Sequence, residues 1–145
     1  VQTQSYGAEA RGSAAKSEII ISDGKIGFPF VRKCDILITM NQETLEKNIT
    51  DLKENGILIF DSSTIKNAPK VKAKIYAVPA TSTAEKIFGQ KLYANMIMLG
   101  ALVKITNVVQ GESVKNAIKD TVNEKALKQN LQAYNEGETI IAGNP

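Results

Sequence analysis

Nine residues near the start of the chain, Ser5 to Ser13 (SYGAEARGS), gather an aromatic ring, a carboxylate, a guanidinium and two glycines. Gly7 and Gly12 allow positive φ or close backbone approach. Arg11 has the planar fork that grips a carboxylate or a phosphate at two points. Tyr6 offers a ring face and a hydroxyl, Glu9 a carboxylate. Such a loop suits contact with a ligand or with another chain. The same residues also suit a glycine-punctuated surface loop leading into a strand, with Glu9 and Arg11 as solvated charges. Residue chemistry leaves both readings open.

Other reactive residue types are few. Histidine is absent, which removes the commonest general base and the commonest metal ligand. Cys34 is the only cysteine. Alone it can neither build a disulfide framework nor hold a metal or iron–sulfur cluster, and a reducing, cytoplasmic setting fits it. At the start of an apolar run, Cys34 reads as a small core hydrophobe. There is no G-x-G-x-x-G after a strand, no P-loop, no G-x-S-x-G elbow and no metal-ligand spacing. Asp23-Gly24 in SDGKIG is similar to the opening of a thiamine-diphosphate metal motif. Ser22 precedes it, however, and no Asn-Asn pair follows, so a strand-ending turn accounts for it. No catalytic or metal-ligating residue is assigned. Any catalysis carried by this chain alone would fall to carboxylates, Lys or Tyr.

The elements that must position these residues follow from pattern. Ser17–Ser22 is a β-branched run ended by Asp23-Gly24, a strand and turn. GFPFVRK, from Gly27 to Lys33, reads as a proline-containing connection. Cys34–Met40 is a continuous apolar strand of the buried parallel kind. Asn41 then caps a helix predicted to run through Asn55, with Leu45, Ile49 and Leu52 on one face and Gly56 as its closing glycine. Ile57–Phe60 is the next strand, completing a βαβ unit. Ala73–Ala80 gives a further strand, and Ser82 with Glu85 has the spacing of a capping box. Gly89 interrupts that helix. A second, apolar on most faces, runs from about Lys91 to Thr106 and belongs in a core or at a subunit interface. Val114, Ala117, Ile118 and Val122 share one helix face, as do Leu127, Leu131 and Tyr134. The tail from Glu138 is expected to be loosely ordered or partner-dependent.

The fold expected is therefore α/β: a single three-layer α/β/α Rossmann-like domain with a mainly parallel sheet and a helical C-terminal third. In such folds ligands gather at the carboxyl ends of the strands. Those ends carry Met40-Asn41, Asp61-Ser62-Ser63 and Ala80-Thr81-Ser82. Helix capping and turn formation account for the type and position of these short polar residues without a ligand.

Composition bounds the function further. The 145 residues suit one domain, and 43% hydrophobic with 23% charged residues is ordinary for a globular chain. The net charge of +3 comes mostly from lysines scattered among carboxylates. Without a basic cluster or an aromatic stacking platform, nucleic acid is not an expected partner. The most apolar stretch, NMIMLGALVKITNVV, is interrupted by Lys104 and too short to span a bilayer, so no membrane association is expected.

The opening run also carries a family resemblance. QSYGAEARG, followed by AKSEIIISD and FPFV, resembles the signature of the gamma subunit or gamma domain of the 2-oxoacid:ferredoxin oxidoreductases. LKENGILIFDSS, VPAT and ANMIMLGAL agree, so the resemblance spans nearly the whole chain. The Ser-Tyr-Gly-x-Glu-Ala-Arg form is most similar to the 2-oxoglutarate branch. Ser13 departs from the family's second glycine. Family members also begin with a strand and a Gly-Gly-Gln-Gly loop, so residues 1–145 are expected to be a gamma domain lacking that first strand and loop. The resemblance implies a non-cluster subunit, inactive alone, of a complex that performs CoA-dependent oxidative decarboxylation of a 2-oxoacid. Other subunits would hold thiamine diphosphate, Mg²⁺ and the iron–sulfur clusters and pass electrons to ferredoxin. No cofactor is expected on this chain alone. The implied cofactor-binding or subunit-interface residues are Ser5, Tyr6, Gly7, Glu9, Arg11 and Gly12. A stand-alone acyl-CoA or nucleotide-binding module and a purely structural assembly subunit are the alternatives.

Overall fold

The computed structural model describes residues 1–6 and 15–142. An antiparallel hairpin comes first, β1 (Gln2–Tyr6) with β2 (Ala15–Ile19). A parallel sheet of three strands follows in the order β3 (Cys34–Thr39), β4 (Leu52–Asp61), β5 (Lys74–Val78). Helix α1 (Gln42–Asn48) lies between β3 and β4. After β5 come α2 (Ala80–Phe88), α3 (Ala94–Thr106), α4 (Gly111–Thr121) and α5 (Glu124–Ala142).

Strand alternation builds the three layers. Successive side chains of a strand point to opposite faces. Leu58 and Phe60 of β4 pack with Leu45 of α1 on one face. Ile59, with Val78 of β5, packs on the other face against Ala84 of α2, Ala94 and Ile97 of α3, and Ala133 of α5. The α/β/α layering and the parallel sheet are thus as expected. The β-branched run after Lys16 is not. Its apolar side chains suit a buried strand, yet among the described residues β2 pairs only with β1, and Ile19 and Ile21 are exposed.

The predicted helix through Asn55 is shorter than its pattern. α1 stops at Asn48, a 3₁₀ turn covers Ile49–Asp51, and β4 begins at Leu52. Leu45, Ile49 and Leu52 still share one apolar cluster, with Leu52 reaching it from a strand. The spacing i, i+4, i+7 therefore marked a common core and not a common helix. Gly56 is not a helix terminator either. It lies in an irregularity where the pairing steps from Cys34↔Leu52 to Ile36↔Ile57. Asn55 there has φ 63° and donates its N–H to the Lys72 carbonyl at 2.6 Å. A Cβ on Gly56 would sit 2.8 Å from Leu52 Cδ1 and 2.9 Å from both the Asp35 and Lys53 carbonyl oxygens. Backbone crowding, and not helix closure, requires this glycine.

Two further expectations change. α2 starts at Ala80, so Ser82 lies inside its first turn, and the Ser82–Glu85 capping box does not form. α5 continues through Ala142, with Ile140 and Ile141 packed against the core, so the tail up to Ala142 is helical. Gly137, just before the tail expected to be loosely ordered, faces α3. A Cβ on it would overlap the Ile97 carbonyl, and a Cβ on Gly100 would overlap the Tyr134 carbonyl. These reciprocal glycines let α3 and α5 touch backbone to backbone. Gly89, by contrast, ends α2 as expected, with φ 69°.

Candidate functional site

The carboxyl ends of the three parallel strands come together, as the fold class requires, and their polar groups bond one another. Asn41 Oδ1 accepts the Thr44 N–H at 2.8 Å and caps α1. Thr64 Oγ1 donates to the Met40 carbonyl at 2.7 Å, tying the end of β3 to the turn after β4. Asp61, fully buried at the end of β4, is the hub. Its Oδ1 accepts the Ser63 N–H at 2.9 Å, and its Oδ2 accepts the N–H and the hydroxyl of Thr81 at 3.1 and 2.5 Å. The Ser82 N–H donates to Ser63 Oγ at 3.0 Å, and Ser82 Oγ donates to the Pro79 carbonyl at 3.2 Å.

α2 is thus capped by residues of another strand's turn. Its N-cap residue, Pro79, offers no side-chain cap. Asp61 and Ser63, some twenty positions earlier, accept the Thr81 and Ser82 amides instead. A carboxylate at a helix N-terminus also complements the macrodipole. Those amides are spent, and a negative charge sits beside them, so the phosphates of CoA do not fit there. The capping reading of the strand-end residues holds. Thr39 Oγ1 is buried without a partner among the described residues. No group of three or more Cys, Asp or Glu residues is placed to hold a metal among them.

Away from the strand ends, an open recess of about 340 Å³ surrounds the Gly56 irregularity, between Asp35, Lys53 and Val108. Asp35 and Lys53 there neutralise one another at 2.8 Å. Cys34 is half-buried, and its thiol donates to the Asp51 carbonyl at 3.5 Å. Burial pushes that thiol above its ordinary value, which disfavours the nucleophilic thiolate.

In sequence, the N-terminal loop connects β1 to β2. The backbone of Ser5 is paired opposite Lys16, and that of Tyr6 opposite Ala15. Gly7, Glu9, Arg11 and Gly12 fall outside the described residues. On β2, the Lys16 ammonium lies 2.7 Å from Glu18 and holds that carboxyl below its usual value, against a smaller opposing effect of burial. Glu18 Oε2 also accepts the Val31 N–H at 3.4 Å, bringing the GFPFVRK connection back along the hairpin.

That connection holds a group which the sequence reading passed over. The rings of Phe28 and Phe30 lie 5.5 Å apart, and the Arg32 guanidinium sits 5.0 Å from the Phe28 ring centroid. Both rings are exposed. Aromatics at i and i+2 with an arginine at i+4 were the available signal, masked by the proline between them.

Known proteins share this arrangement. The profile of the pyruvate ferredoxin/flavodoxin oxidoreductase family matches residues 1–140. The 2-oxoglutarate synthase subunit KorC of Methanocaldococcus jannaschii is 42% identical over 142 residues, covering 97% of this chain and 76% of that protein. The solved gamma subunit of the keto/oxoacid ferredoxin oxidoreductase of Geobacter sulfurreducens superposes with a TM-score of 0.83 at 36% identity, covering 98% of this chain and 79% of that one. Ketoisovalerate oxidoreductase subunit VorA of Methanothermobacter thermautotrophicus is 33% identical over 136 residues, covering 91% of this chain but only 28% of VorA. By its residues, its fold and these relatives, the chain belongs to the pyruvate ferredoxin/flavodoxin oxidoreductase family, as a gamma-type subunit of a multi-subunit oxidoreductase.

Proposed function

We propose that this chain, as one gamma domain over residues 1–145, serves a cytoplasmic 2-oxoglutarate:ferredoxin oxidoreductase. The observation that carries the choice of 2-oxoacid is the 42% identity to a 2-oxoglutarate synthase subunit across 97% of the chain. Thiamine diphosphate, Mg²⁺ and iron–sulfur clusters on the other subunits supply the decarboxylation and electron transfer that yield acyl-CoA, CO₂ and reduced ferredoxin. This chain's own part is to shape and hold. The contact residues in this reading are Ser5, Tyr6, Gly7, Glu9, Arg11 and Gly12, with Arg11 gripping a phosphate of CoA or a carboxylate of a neighbouring subunit and Tyr6 packing beside it. The pairing of Asp61, Ser63, Thr81 and Ser82 with one another supports the hairpin, and not the strand ends, as the contact region.

The test is a CoA titration of the assembled complex, wild type against Arg11→Ala. Loss of one charge-assisted contact to phosphate costs about 1.5–3 kcal/mol, a weakening of roughly 10- to 150-fold. An unchanged CoA affinity with poorer retention of the subunit assigns Arg11 to a protein contact and favours the purely structural assembly role. A complex that turns over pyruvate and not 2-oxoglutarate overturns the substrate assignment.

A further inference from the structure

A two-stranded hairpin is at best marginally stable alone in water. Among the described residues β1 and β2 pair only with each other, and the Glu18–Val31 hydrogen bond ties them to the connection that follows. Yet this region carries large apolar side chains in solvent: Ile19 is 64% exposed, Ile21 70%, Phe28 51% and Phe30 57%. The rings and Arg32 are stacked on one another in the order Phe30, Phe28, Arg32, so the guanidinium is held in place by a ring face. Its planar N–H fork meets no carboxylate among the described residues. Pre-ordered aromatics beside an arginine are the composition of interface hot spots. Residues 15–33 also carry four cations against two carboxylates, so a complementary surface is apolar with an acidic rim.

The relatives indicate what covers it. This chain matches only 28% of VorA. There the same fold is joined covalently to a chain portion more than twice its size. Where the link is absent, a non-covalent surface must do the joining.

We infer that the β1–β2 hairpin and the Phe28–Phe30–Arg32 stack form the face by which this chain docks against the oxidoreductase subunit corresponding to the remainder of a VorA-type chain. The two rings enter an apolar pocket, and Arg32 meets carboxylates at its rim. The inference rests on the oxidoreductase reading above.

The test measures affinity between the full chain and that partner subunit, each purified and recombined, with the wild-type holo-complex as reference. Phe28→Ala/Phe30→Ala is expected to weaken association about 30-fold or more, and Arg32→Ala about 10-fold. Leu92→Ala, at another exposed apolar position, is the control and stays within about twofold of wild type. If the double variant loses its far-UV dichroism, the charge reversal Arg32→Glu reads the same surface and is expected to weaken association at least as much as Arg32→Ala. Wild-type affinity in Phe28→Ala/Phe30→Ala and Arg32→Glu overturns the docking face while leaving the oxidoreductase reading intact. An equal loss in Leu92→Ala overturns it as well. Failure of the wild-type chain to bind any subunit of the enzyme sinks the oxidoreductase reading itself. A homodimer of the isolated chain that the double variant dissolves assigns the face to a second copy and overturns the stated partner.

Discussion

The α3–α5 helix pair and the β1–β2 hairpin use apolar residues in opposite ways. Between the helices every contact is internal: Ile97, Met98, Ala101 and Ala133 are buried, and Gly100 and Gly137 remove the side chains that would hold the backbones apart. Along the hairpin and the connection after it, Ile19, Ile21, Phe28 and Phe30 face solvent, and the ordering contacts are a few polar bonds and a ring–guanidinium stack. One region is finished within this chain. The other has the surface of a half-interface, which fits a subunit whose place is in an assembly. The contrast teaches where to look for function: not at the strand ends, which are internally capped, but where burial is incomplete.

If the helix pair is a closed unit, Gly137→Ala should show the largest effect. Helix propensity alone favours alanine over glycine by about 1 kcal/mol. Here the new methyl would overlap the Ile97 carbonyl, a backbone atom that cannot move without shifting α3. The expected net loss is about 3 kcal/mol or more, read by urea denaturation of the isolated chain. A stabilised variant would show that the helices do not touch at this point.

Next in size is Asp61→Ala. It leaves the amides of Ser63 and Thr81 and the Thr81 hydroxyl without their buried acceptor. The expected cost is about 2–3 kcal/mol, because these are bonds to a charged group. Ser63→Ala should cost less, since it removes only the Ser82 side of the same cap. An Asp61→Ala variant as stable as wild type would return the strand end to the list of candidate ligand sites.

The cap on α2 also shows what the sequence could and could not reveal. Asn41 was legible, because its acceptor role is local: the amide it takes lies three residues on. Asp61 was read only as a possible cap or turn former, because its partners stand two and twenty residues away and the second distance is fixed only by the β4–β5 pairing. Gly89 was legible as a helix end, but the close helix approach that requires Gly137 was not, since a glycine needed for close approach and a glycine needed for positive φ look alike in sequence. The βαβ unit, the parallel sheet and the four helices after β5 were visible in their periodicity. The start of β4 was not, because Leu52 satisfies the helical spacing while packing from a strand. Of the candidate loop, Ser5 and Tyr6 are placed on β1 by backbone pairing. Phe28, Phe30 and Arg32 carry no periodic signal, and only their mutual geometry singles them out.

A smaller effect separates α5 from its neighbours by pH. Tyr134 is fully buried, donates to Glu138 Oε1 at 3.3 Å, and lies under the Lys115 ammonium, which is itself 3.1 Å from Glu138. Burial, and then the negative charge of Glu138 and its hydrogen bond, push the phenol from 10.0 up to about 12. The folded-state value lies above the unfolded one. This group's stabilising share is therefore complete below pH 10 and is lost as pH rises through about 12. Tyr134→Phe is expected to cost about 1.5 kcal/mol at pH 7. The difference between wild type and variant should shrink above pH 10, measured as paired urea midpoints from pH 7 to 11. A constant difference would mean that the phenol is solvated.

The smallest expected effect belongs to the other side of the comparison. Phe28→Ala/Phe30→Ala in the isolated chain should change stability by less than about 1 kcal/mol, although it deletes two rings. Buried rings cost far more to remove, about 3–5 kcal/mol each, because they forfeit both transfer free energy and packing. Phe28 and Phe30 are about half in solvent already, and their main partners are each other and Arg32. What they lose is one tilted ring contact and one cation–π contact. The measurement is a thermal and urea unfolding pair on the isolated chain, set beside the same variant in the complex. A loss of several kcal/mol in isolation would place the rings in this chain's own core and erase the contrast with the helix pair. A small loss in isolation, with weakened assembly, shows that their apolar surface is held for a partner.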